Sequence, residues 1–120
     1  MRTVLLAFAC AAPLLAWSAA PLDEATTRLA RQHGCLLCHA LEPAKPAVVP
    51  PSAPAWRDIA ARYRGTPDAE DKLVAVVMRG TEPGDRHWAG KAGVVDMPPN
   101  PVGISEDDAR RIVRWILRLD

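Results

Sequence analysis

Cys35, Cys38 and His39 stand together in "GCLLCHA", two thiols three positions apart with an imidazole next to the second. Two thiols at this spacing can add to the two vinyl groups of one haem, and the adjacent imidazole can then reach the iron as proximal ligand. The C-x-x-C-H arrangement is therefore the pattern of c-type haem attachment. Other uses of a cysteine pair fit less well. A thioredoxin-like redox pair needs a strand feeding a helix, and no strand pattern precedes Cys35. Half a zinc site needs a second cysteine pair or a suitably spaced histidine pair, and neither follows. A disulfide between residues this close closes almost no chain and contributes little.

A haem held by His39 takes either a second axial ligand or an open position, and that choice separates electron transfer from ligand chemistry. Met97, His87 and His33 compete for the place. His33 is so near the attachment motif that the opposite haem face is hard to reach. His87 lies in the polar stretch "GDRHWAG". Met97 lies in "VVDMPPNP", where Pro98 and Pro99 fix the backbone and exclude a continuing helix or ladder. Met78 ends an amphipathic helix and Met1 belongs to the leader, so neither is a rival.

The elements that must position these groups are helical. Asp23 to Gln32 carries Ala25, Leu29 and Ala30 at helical spacing and is closed by Gly34. Trp56, Ile59, Ala60 and Tyr63 form the stripe of a short helix that stops before Gly65. Thr66 as N-cap, Pro67 at the first helical position and Gly80 past the end frame a third helix with Leu73, Val76 and Val77 inward. Ser105 and Asp108 have the form of a capping box, with Ile104 and Ala109 as a weak staple. The helix they open has Ile112, Trp115, Ile116 and Leu119 on one stripe, while Arg110, Arg111, Arg114 and Arg118 cover other faces. Between these helices, Pro43 to Pro54 holds five prolines and reads as an extended loop. Thr81 to Gly103 holds four prolines and four glycines and reads as another. Nothing shows strand alternation, so the expectation is an all-α fold of about four helices and long loops wrapped around one covalent haem.

Residues 1–20 have the layout of a secretory signal peptide: Arg2, an apolar run from Val4 to Trp17, then small residues up to Ala20. That run is short for a membrane span, though retention as an anchor stays open. Residues 21–120 are then the folded domain, with the proline-rich loop at 43–54. Cys10 leaves with the leader, and export would put Cys35 and Cys38 in an oxidising compartment. The chain has 15 basic and 14 acidic residues, and without Arg2 the counts are equal. Such balance offers no footprint for nucleic acid and no charged tail.

The chain resembles the short bacterial monohaem class I cytochromes c over almost all of its presumptive mature length. The resemblance runs from "GCLLCHA" through "PAWRDIAARY" and "HWAG" to "MPPNPV" and "SEDDARRIVRWIL". It implies haem c attached through Cys35 and Cys38, with His39 and Met97 as axial ligands. It further implies that the Pro54 carbonyl accepts a hydrogen bond from His39, that the Trp88 indole donates to a haem propionate, and that Trp56 lies near the haem. Asn100 would order the methionine loop, and Trp115 would join the first and last helices as core. Three departures stand out: the long segment before Pro54, Ala53 where the family has glycine, and Asp96 where it has an apolar residue or proline. An ionised Asp96 near the iron favours the ferric state.

The implied function is a periplasmic one-electron carrier that docks briefly with donor and acceptor redox proteins. It would be an electron carrier rather than an enzyme, a monomer or a subunit of a redox complex, without stable membrane insertion after signal cleavage. A cytochrome subunit of a periplasmic oxidoreductase remains the alternative. A haem-based sensor or peroxidase-like enzyme, with Met97 detaching and His87 or Asp96 assisting, is a third and weaker one.

Overall fold

A computed structural model describes residues 23–43, 53–81, 88, 96–100 and 103–120. The first helix, α1 (Glu24–Gln32), starts behind Asp23, whose carboxylate accepts from the N–H groups of Ala25 and Thr26 at 3.1 and 3.3 Å. The Thr26 hydroxyl donates to the same carboxylate, and this bond leads in holding the Asp23 carboxyl below its ordinary range. With its hydroxyl satisfied, Thr26 can be buried. The inward face of α1 is accordingly Thr26, Leu29 and Ala30, whereas Ala25, expected to face inward, is exposed.

Helix α2 (Trp56–Tyr63) has no side-chain cap. Its first amides are satisfied from a distance instead: Trp56 N–H donates to Ala40 O at 2.9 Å and Arg57 N–H to Leu41 O at 3.2 Å. Trp56, Ile59 and Ala60 are buried and Tyr63 packs beside them, as the spacing predicts.

Helix α3 (Ala69–Arg79) differs from expectation at its start. Thr66 and Pro67 do not open it; Asp68 occupies the cap with φ 58°, a left-handed conformation that interrupts the helical path from Pro67. Aspartate is among the few residues that tolerate this region. The Asp68 carbonyl accepts the Lys72 N–H at 3.0 Å, the first intrahelical bond. Val74 is the most buried position of the inward stripe, with Leu73 and Val77 half-buried against the core and Val76 also half-buried. Gly80 ends the helix as predicted.

Helix α4 (Glu106–Ile116) begins at Ser105, whose hydroxyl accepts the Asp108 N–H at 3.1 Å and donates to the Asp108 carboxylate at 2.9 Å. Ile104 and Ala109 are both buried, as the staple requires. Ile112, Val113, Trp115 and Ile116 face inward, and Leu119 packs against them. This helix is the hub, since it touches α1, α2 and α3. Its arginines do more than cover the outside. Arg110 pairs with Glu70, Asp71 and Glu106 at 2.8, 2.7 and 3.0 Å, and Arg114 reaches Glu70 at 2.9 Å, so α3 and α4 are clamped along their charged edge. These bonds, Arg114's first, hold the Glu70 carboxyl below its ordinary range.

The fold is all-α, with four helices and no strand among the described residues. No helix of these residues is long and apolar enough to cross a membrane. The expected leader and residues 44–52 of the proline-rich loop lie outside them.

Candidate haem site

Gly34, with φ 74°, reverses the chain after α1 into a 3-10 turn at Cys35–Leu37. Leu37 N–H donates to Gly34 O at 3.0 Å and His39 N–H to Cys35 O at 3.0 Å, which winds the attachment motif tightly. Cys38 is exposed and Cys35 half-buried, and no disulfide joins them. Burial pushes the Cys35 thiol pKa up, with a backbone hydrogen bond opposing it. Leu36 packs on the core, while Leu37 is 88% exposed.

His39 Nδ1 lies 2.8 Å from Pro54 O. A carbonyl can only accept, so Nδ1 carries the proton and Nε2 is the nitrogen available to a metal. Burial lowers the imidazole pKa, against the opposing pull of the Pro54 bond, and so favours the neutral, ligating form. The backbone explains this contact. Pairing of Trp56 and Arg57 with Ala40 and Leu41 lays the start of α2 against the tail of the motif, which carries Pro54 to His39. Trp56 stacks on the His39 ring at 6.3 Å between centroids and meets Trp115 edge-on at 5.3 Å. Trp115 is buried in the core as expected, and its ring contact ties in α2.

The candidate second donor, Met97, comes from a distant part of the sequence. Met97 is half-buried; its N–H donates to the Thr81 hydroxyl at 2.7 Å, and its carbonyl accepts the Thr81 N–H at 3.0 Å. Asn100 N–H donates to Val77 O at 3.3 Å, and its side-chain amide donates to His33 O at 3.4 Å. The segment is thus stitched both to the end of α3 and to the approach to the attachment motif. His33, weighed as a ligand, serves as the C-cap of α1, with Nε2 at 3.9 Å from an Asp108 carboxylate oxygen. Trp88 is half-buried with the Arg62 guanidinium 5.3 Å above its ring. Asp96 is half-buried, and His87 lies outside the described residues. Sequence reasoning missed Ala40 and Leu41, whose parts are played through backbone pairing, and Thr81, whose hydroxyl and N–H both reach Met97. Gly80 signalled only a helix end.

Two thiols, an imidazole with Nε2 available and a thioether on a stiff segment form a donor set suited to a covalently held iron macrocycle. Fold and donors together define a small helical protein that holds haem covalently.

No protein-family model matches the chain. It is 41% identical over 104 residues to a cytochrome c-551 of Allochromatium vinosum, covering 87% of this chain and 96% of that one. The crystal structure of Nitrosomonas europaea cytochrome c552 superposes with a TM-score of 0.61 at 32% identity, covering 78% of this chain and 99% of the other. A class 1 cytochrome, MtoD of Sideroxydans lithotrophicus, gives a TM-score of 0.55 at 26% identity, covering 78% and 90%. The chain belongs to the small monohaem class I cytochromes c. Its cofactor is haem c, attached through Cys35 and Cys38, and it is an electron carrier rather than an enzyme.

Proposed function

We propose that the protein carries single electrons in the periplasm with His39 and Met97 as the axial ligands of its haem. What supports this reading is that each of the two groups is fastened by its own hydrogen bond. His39 is fixed by Pro54 O with Nε2 available, and Met97 is fixed by Thr81 on a proline-stiffened segment. The bound haem supplies an iron that changes between ferrous and ferric states. The chain's own residues keep its coordination constant, so electron exchange needs little rearrangement. Trp56 stacks on the imidazole, Trp88 would donate to a haem propionate, and Asn100 holds the methionine segment to α3 and to His33 O. Residues 1–20 direct export and are removed after Ala20, leaving 21–120 as the working domain. Its partners are periplasmic redox proteins, met through weak, brief contacts that suit its balanced charge.

The test is spectroscopic. Wild-type ferric protein at neutral pH should show the far-red sulfur-to-iron charge-transfer band, and reduced protein should bind carbon monoxide slowly. Met97→Ala should lose the band and bind carbon monoxide rapidly. A wild type without the band, or a mutant spectrum identical to wild type, rules out Met97. Mass spectrometry of the exported protein tests the leader: a mature chain beginning at Pro21 is expected.

A further inference from the structure

We infer that Thr81 is a positioning residue for Met97: its hydroxyl is a latch that sets how often the thioether leaves the iron. The inference rests on the axial assignment proposed above. Between Met97 and Asn100 the chain reads Met-Pro-Pro-Asn, and proline has no N–H. The segment therefore owns only two backbone donors, and both are engaged. Asn100 N–H goes to a main-chain carbonyl, that of Val77. Met97 N–H goes to a side chain, the Thr81 hydroxyl, at 2.7 Å, the short end of the range for such bonds. The same threonine gives its own N–H to Met97 O at 3.0 Å, and its hydroxyl lies 3.4 Å from that oxygen. Thr81 thus closes on both backbone groups of the ligand residue, and its β-branched side chain has few rotamers with which to let go.

The approach depends on the residue before it. A Cβ on Gly80 would lie 2.6 Å from Met97 O and 2.8 Å from Pro99 N. Only the bare backbone of glycine lets the methionine segment lie this close to the end of α3, where Thr81 can reach it.

An exogenous ligand such as imidazole binds ferric iron only in molecules whose methionine has detached. Its apparent dissociation constant falls in proportion as that population grows. Thr81→Val keeps the shape, the branching and the backbone N–H and deletes only the hydroxyl. Loss of one partly buried hydrogen bond should raise the detached fraction, and so strengthen imidazole binding, on the order of tenfold. Imidazole titration of wild-type, Thr81→Val, Thr81→Ser and Asp23→Ala holoproteins tests the latch, with the far-red band read alongside. Thr81→Ser should bind nearly as wild type because the hydroxyl returns. Asp23→Ala loses the N-cap of α1, at the end of that helix away from His33, and it should leave imidazole affinity unchanged while lowering global stability. If Thr81→Val binds imidazole as wild type does, or Asp23→Ala shifts affinity equally, the latch is overturned while the axial assignment stands. If wild-type protein lacks the band, the assignment fails and the latch fails with it.

Discussion

At the scale of single residues, Gly80 has the most to lose by substitution. Its backbone, at φ 77° and ψ −178°, is in a region that essentially only glycine occupies. A side chain there would also press on Met97 O and Pro99 N. Gly80→Ala should therefore destabilise the holoprotein by about 2–3 kcal/mol, read as a lower urea midpoint at unchanged slope. It should weaken the far-red band as well, because relief of the contact moves the ligand segment. His39 shows a gentler kind of control, in which one hydrogen bond to Pro54 O chooses the nitrogen left for iron.

At the scale of elements, the α3–α4 clamp concentrates on Glu70, which receives both Arg110 and Arg114. Its carboxyl pKa is lower in the folded protein than in the unfolded chain, so the unfolded state binds more protons once the pH drops below the usual carboxylate range. The stabilisation is fully present above that range and is lost as pH falls through the folded value. Glu70→Gln should flatten the acid limb of the stability–pH curve, removing up to about one proton of uptake on unfolding in that window. Denaturant titrations from neutral pH downward would measure it. The ends of the elements also show what sequence can and cannot reveal. Ser105 was readable as a cap because the hydroxyl and the amide it serves are three residues apart. Thr66 and Pro67 carry an equally good local signal, yet the left-handed turn at Asp68 delays the helix, and no side-chain pattern announces a backbone angle. Thr26 was missed as a core residue because a hydroxyl reads as polar until its partner, Asp23, is seen beside it.

At the scale of the molecule, the legible part of the site is the part whose chemistry is contiguous. Cys35, Cys38 and His39 declare themselves by spacing, and the prolines after Met97 single it out as the proposed second ligand. What joins them is a set of distant pairings: Thr81 with Met97 across 16 positions, His39 with Pro54 across 15, and Asn100 with His33 across 67. The resemblance to known cytochromes pointed to the His39–Pro54 contact and to an ordering part for Asn100; Thr81 carried no such mark. Trp56 then links the site to the hub helix, since one ring touches both His39 and Trp115. The consecutive prolines at 98 and 99 have one more consequence, for deuterium labelling. With no exchangeable hydrogen on either, the Met97 and Asn100 amides are the segment's only main-chain reporters in hydrogen-exchange NMR. Each watches a different fastening, Thr81 for the first and Val77 for the second. In Thr81→Val the Met97 amide should exchange several-fold faster while the Asn100 amide keeps its rate. Equal acceleration at both would mean that the segment opens as one piece.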